Sequence, residues 1–145
     1  MTGSACSSPP APPAVDELES QLNLARHDSE LATAAAAAAA APVNAALTEV
    51  AAERTKHAEA LATEIARLAV NPTSTTSQAA TSTTSAAAAP PPTLSDVINS
   101  LRGSAASASH LAMTSSGYRA GLLGSIAAAC TASYSVALVF GGATS

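Results

Sequence analysis

Between Val43 and Leu68 the chain carries one apolar stripe at helical spacing. Val43, Leu47, Val50, Leu61, Ile65 and Leu68 recur three or four residues apart on the helical period, which puts them on one face of a helix over 44–68. Arg54 and His57 fall inside that stripe, in the two slots where leucines are expected, and Glu53 and Glu64 stand on its shoulder. Polar groups on a buried face cost free energy unless they are paired. The stripe therefore holds either a satisfied core network or a site, and the rest of the chain has to cover it.

The covering material is alanine. The chain has 39 alanines among 145 residues, against 24 residues of Leu, Ile, Val and Phe. Alanine is the best helix former and lets helices approach closely, no run alternates with period two, and aromatics make up 2% of the chain. An all-α, antiparallel four-helix bundle follows. With a formal charge of only −4, the chain lacks the high charge of a disordered one. Residues 1–70 hold nine of the ten carboxylates, and no acid follows Asp96. No basic cluster with interleaved aromatics exists, so nothing supports nucleic-acid binding.

In chain order, residues 1–14 (MTGSACSSPPAPPA) read as a flexible tail. Small residues before Cys6, and Ser and Pro after it, resemble the end of a bacterial lipoprotein signal, which would make Cys6 a lipid-modified tether to a membrane surface. That reading needs a start upstream of Met1, because only five residues precede Cys6; with Met1 as the start, the chain stays in the cytoplasm. Residues 15–70 form a helical hairpin. Asp16 and Glu19 have capping-box spacing at the start of the first helix. Leu18, Leu22, Ala25, Ser29 and Ala32 make one seam, and Leu24, His27 or Asp28, and Leu31 a second. The first helix ends at Pro42, which leaves room only for a tight turn before the second. Residues 71–92, rich in Thr, Ser, Ala and Pro without one large hydrophobe, read as a long disordered linker.

The second hairpin spans 93–145. Thr93 and Asp96 repeat the capping-box spacing, and Leu94, Val97 or Ile98, Leu101, Ala105, Ala108 and Leu111 form a single seam. After a turn at Ser115-Ser116-Gly117, a last helix over about 118–140 is apolar nearly all round. Gly117, Gly121 and Ser125, and Gly124 with Ala128, repeat small residues every four positions. No charge occurs from Ala120 to Gly142, so this helix suits either the centre of the bundle or a bilayer span. The central position is the expectation, because three amphipathic helices need something apolar to cover. Cys130, inside it, reads as a small buried hydrophobe.

The segments RHDSELATAAAA, LTEVAAERTKHAEALATEIARLA and SGYRAGLLGSIAAAC together resemble an actinobacterial, alanine-rich, ferritin-like family of unknown function. The resemblance covers about residues 15–140, and GYRAGLLGSIAA is its most specific part. It implies a ferritin-like up-down bundle and no established activity; some members look exported or lipid-anchored.

Ferritin-like di-metal sites take a Glu from each of two helices and Glu-x-x-His from each of the other two. Here Glu53 and His57 are four apart, the last helix has no carboxylate or His, and the six-ligand pattern cannot be assembled. A single iron, manganese or zinc ion on His27, Asp28, Glu53 and His57 is the metal-binding alternative; otherwise no cofactor is expected. Catalysis has no nucleophile elbow and no phosphate loop. The expectation is a core polar cluster of Asp28, Glu30, Glu53, Arg54, His57 and Arg119, in a non-enzymatic envelope protein. Its role would be structural or in binding a protein partner or another copy of itself.

Overall fold

The structure is a computed structural model, and it describes residues 13–70 and 89–142. The described residues are all-helical, with no strand among them. Helix α1 runs Pro13–Ala38, α2 Val43–Ala69, α3 Leu94–Thr114 and α4 Gly117–Ala132; a π-helical segment, Ser133–Ala137, then leads without a break into α5, Leu138–Gly142. Tail residues 1–12, with Cys6, and linker residues 71–88 lie outside the described residues.

Each helix end has a local cause. Helix α1 begins three residues before Asp16, at Pro13, so Asp16 is a first-turn acid rather than the expected cap. Proline suits that position, since its missing N–H is one that a first turn leaves unbonded anyway. At the other end the Asn44 side chain donates to the carbonyl of Ala36 at 2.6 Å, which closes the α1–α2 turn. The capping box at α3 forms as its spacing predicts. Thr93 accepts from the backbone N–H of Asp96, while the Asp96 carboxylate accepts from the backbone N–H of Thr93 at 2.7 Å. These bonds hold the Asp96 carboxyl below its usual pKa. Gly117 opens α4 at φ 58°, a conformation that costs an L side chain and costs glycine little.

Helix α1 lies against both α2 and α3; α3 packs on α4, and α5 returns to α2. The contacts run in reverse order between α1 and α3 and between α1 and α2. Gln21 meets Ser107 and Asp28 meets Ser100 and Ser104 between α1 and α3, while Ser29 meets Ala51 and Ala36 meets Asn44 between α1 and α2. Of the α2 stripe, Leu47, Val50, Arg54 and Leu61 are all under 4% exposed, and Val43, His57, Ile65 and Leu68 are half-buried. In α1 the buried line is Leu18, Gln21, Ala25, Asp28 and Ala32, so it passes through Asp28 and not through Ser29.

The last helix is not the bundle's centre. Leu123, Ile126, Ala127 and Cys130 of α4 and Leu138 of α5 are buried, but only 33% of its most apolar window is covered. Val136, Val139 and Phe140 remain at least half exposed. Like the other helices it turns one face inward: α4 packs along α3, and α5 reaches α2.

Candidate functional site

Arg54 of α2 and Ser100 and Ser104 of α3 converge on Asp28 of α1. Its side chain is fully buried, and Arg54 Nη2 lies 2.9 Å from its Oδ2. From α3, Ser104 Oγ donates to Oδ2 at 2.6 Å and Ser100 Oγ donates to Oδ1. The three-residue and four-residue steps along the helices make this arrangement: Asp28 follows Ala25 and precedes Ala32 on the inward line, and Ser104 lies one turn from Leu101 and Ala108. Both carboxylate oxygens are thus engaged by groups from two other helices.

Arg54 joins that centre to His57. Its Nη1 donates to His57 Nδ1 at 3.2 Å, so a neutral His57 ring carries its own proton on Nε2. Burial and the Arg54 charge push the His57 pKa below the ordinary value, with Glu53 pulling it the other way. The guanidinium is incompletely bonded: Nε and Nη2 are buried without a well-directed hydrogen bond, although Nη2 is in charge contact with Asp28. Such a group carries a desolvation cost, so the pair does not add much net stability.

Beside this centre an open cleft of about 500 Å³ is lined by Glu49, Glu53, Lys56, His57, Ser133 and Ala137. Glu53 accepts from Ser133 Oγ at 3.2 Å, and the same hydroxyl also reaches the carbonyl of Ala129 at 2.9 Å. Ser133 opens the π segment, where an inserted residue turns the helix locally. Cys130, one turn earlier, is buried, and burial raises its pKa to about 11. It sits there as a small buried side chain, as expected.

Of the residues expected to form the cluster, the structure brings Asp28, Arg54, His57 and, through Ser133, Glu53 into one region. Glu30 is exposed and lines a separate groove with Arg26 and Glu59. Arg119 lies toward the other end of α2, where its charge helps to lower the pKa of Glu64. Of the four candidate metal ligands, His27 is exposed on α1, away from the buried line. Among the described residues no three His, Cys, Asp or Glu side chains are grouped closely enough to hold a metal ion. The His57 tautomer also works against ligation. A metal-binding imidazole donates its other N–H to a partner, whereas His57 accepts there from a cation.

Four participants were not legible as such. Ser100 and Ser104 are two of many serines, and only the Leu101–Ala108 seam marks Ser104 as inward. Gln21 donates from Nε2 to Ser107 Oγ at 2.7 Å. Glu64, read as a shoulder residue, is 2% exposed and is bound by Arg67 through two bonds of 2.7 Å. Those bonds lower its pKa, burial opposing them. Comparison of the chain with family models, curated proteins and solved structures finds no match.

Proposed function

We propose that this chain is a non-enzymatic protein of the cell envelope, an antiparallel four-helix bundle of the ferritin-like kind with a structural or interaction role. The observation that carries the reading is the closed state of the Asp28 centre. Its oxygens are occupied by Ser100, Ser104 and Arg54, and the ring nitrogen of His57 that faces the centre is occupied by Arg54. A guanidinium fills the core position where a metal-binding bundle would need an ion. The polar centre then serves to fix helix register, which alanine surfaces specify weakly. The reverse order of contacts along α1–α2 and α1–α3 supports the antiparallel arrangement. The likeness to the alanine-rich ferritin-like family and the lipoprotein-like setting of Cys6 support an envelope tether.

Elemental analysis of the full chain after incubation with iron, manganese and zinc tests the reading. The expected result is no stoichiometric metal, with His57→Ala changing only stability. Near-stoichiometric metal that is lost in His57→Ala would replace it with the metal-binding alternative.

A bilayer-spanning reading has its own observation, the 24-residue apolar helix Gly117–Phe140 with a mean hydropathy of 1.7 over its best window. Spanning would expose Leu123, Ile126, Cys130 and Leu138 from their present packing. Carbonate extraction of the Cys6→Ala variant separates the two. Release from the membrane fits the tethered bundle, and retention fits the span.

A further inference from the structure

We infer that the outward face of the last helix is the surface on which a second copy of this chain docks, with the two helices antiparallel about a twofold axis near Cys130 and Thr131. The inference deepens the interaction role proposed above and rests on it. Along that face run Gly121, Ser125, Ala128, Ala132, Val136 and Phe140, all exposed. The face is small at its beginning and large at its end. A twofold pairing sets Phe140 of one copy over Gly121 of the other and Val136 over Ser125, and the two alanines meet at the middle. An isologous contact of this kind requires a surface complementary to itself, and this one is.

Three further observations point the same way. A Cβ built on Gly121 or on Gly124 meets nothing within 4 Å, so packing inside one chain gives no reason for either glycine. Glycine weakens a helix interior relative to alanine, and close approach of another backbone is the usual compensation. Gly124, Ala128, Thr131 and Ala132 also form one wall of an open groove of about 610 Å³, with Ala112 and Met113 of α3 opposite. The groove lies beside the middle of the face, where the alanines of the partner helix pass. Charge selects the same face. Each copy is formally −4, yet no charged residue follows Arg119, so two copies meet here without opposing like charges.

The size of the contact sets its strength. A helix of this length is ~36 Å long and ~10 Å wide, which offers on the order of 400 Å² per copy. A standard interface takes about 800 Å² per partner, so the dimer is weak and reversible. A lipid surface is the competing occupant, but Gly, Ser and Ala supply little apolar area to bury over the first half of the face.

Sedimentation of the full chain across a wide concentration range tests the proposal. The mass is expected to rise from 14.1 kDa toward twice that value. In a Cys6→Ser background, the double variant Ser125→Cys/Val136→Cys is expected to crosslink between copies on mild oxidation. Either single variant is expected to crosslink far less, because like positions lie ~16 Å apart across the axis. Gly121→Leu should keep the helical signal and the melting temperature while abolishing the dimer. A monomer at every concentration overturns the proposal, and so does efficient crosslinking of the single variants, which would require parallel helices. Flotation of a monomeric chain with phosphatidylglycerol–phosphatidylethanolamine vesicles would assign the face to lipid instead. None of these failures touches the metal result, which alone decides against the non-enzymatic reading.

Discussion

The middle and the C-terminal end of α2 each bury a carboxylate beside an arginine, and the two are built differently. At the middle, Arg54 and Asp28 have side chains 2% and 0% exposed, belong to different helices and recruit α3 through two serines. At the end, Arg67 is 58% exposed, lies three residues from Glu64 and shields its buried carboxylate from within one helix. The first arrangement depends on tertiary packing and fixes how three helices sit. The second needs only α2 and a solvated cation, so it satisfies a buried acid without committing a neighbour. A local pair can be kept if the bundle loosens; the inter-helix pair cannot.

Truncating Arg54 is the largest expected effect. Arg54→Ala leaves Asp28 buried with its serines alone and is expected to cost about 3–5 kcal/mol in urea unfolding. The double variant Asp28→Leu/Arg54→Met, apolar and of similar bulk, is expected to recover most of that loss. A double variant as unstable as the single one would mean that the ion pair itself, and not its burial unpaired, holds the three helices. Arg67→Ala comes second: it should destabilise less than Arg54→Ala, because solvent reaches that end of the helix. Equal losses would erase the distinction between the two ends.

The smallest effect is on pH dependence, and it orders the two regions. His57 has a folded pKa below its ordinary value of 6.5, so the unfolded chain takes up the proton first. Its contribution is complete above that value and is lost as pH falls toward the folded pKa. Glu64 has a folded pKa below its ordinary 4.5, so its contribution is complete above 4.5 and is lost at lower pH. Melting temperature is therefore expected to decline in two steps on acidification. His57→Gln should remove the upper step alone, and Arg67→Ala should shrink the lower one, because the bonds that depress the Glu64 pKa are lost while burial still raises it. A single step that His57→Gln leaves unchanged would contradict the assignment.

Much of the architecture was legible because it depends on local periodicity and end chemistry. The α2 stripe, with Arg54 turned inward, follows from apolar spacing, and the Thr93–Asp96 cap follows from residue types three apart. The Asp16–Glu19 spacing promised as much and gave no cap, because proline at Pro13 lets α1 start earlier. In α1 the sequence offered two seams, through Ser29 and through His27 or Asp28; the buried line takes Asp28, and Ser29 stays half-buried against α2. A helix rich in alanine carries too little apolar contrast to define its buried face, and packing against α3 decides it.

By itself the sequence determined that these segments are helices, that the first pair must turn back at Pro42, and that a cation enters the core on α2. Each is a property of residues within one helix or one turn, where periodicity and backbone sterics suffice. Only the tertiary structure decided that Asp28 and not Glu30 meets Arg54, that Ser100, Ser104 and Ser133 take part, and that α4 turns its small-residue face outward. Those outcomes depend on which alanine surfaces come closest, and a methyl group looks the same from every helix until the helices are packed.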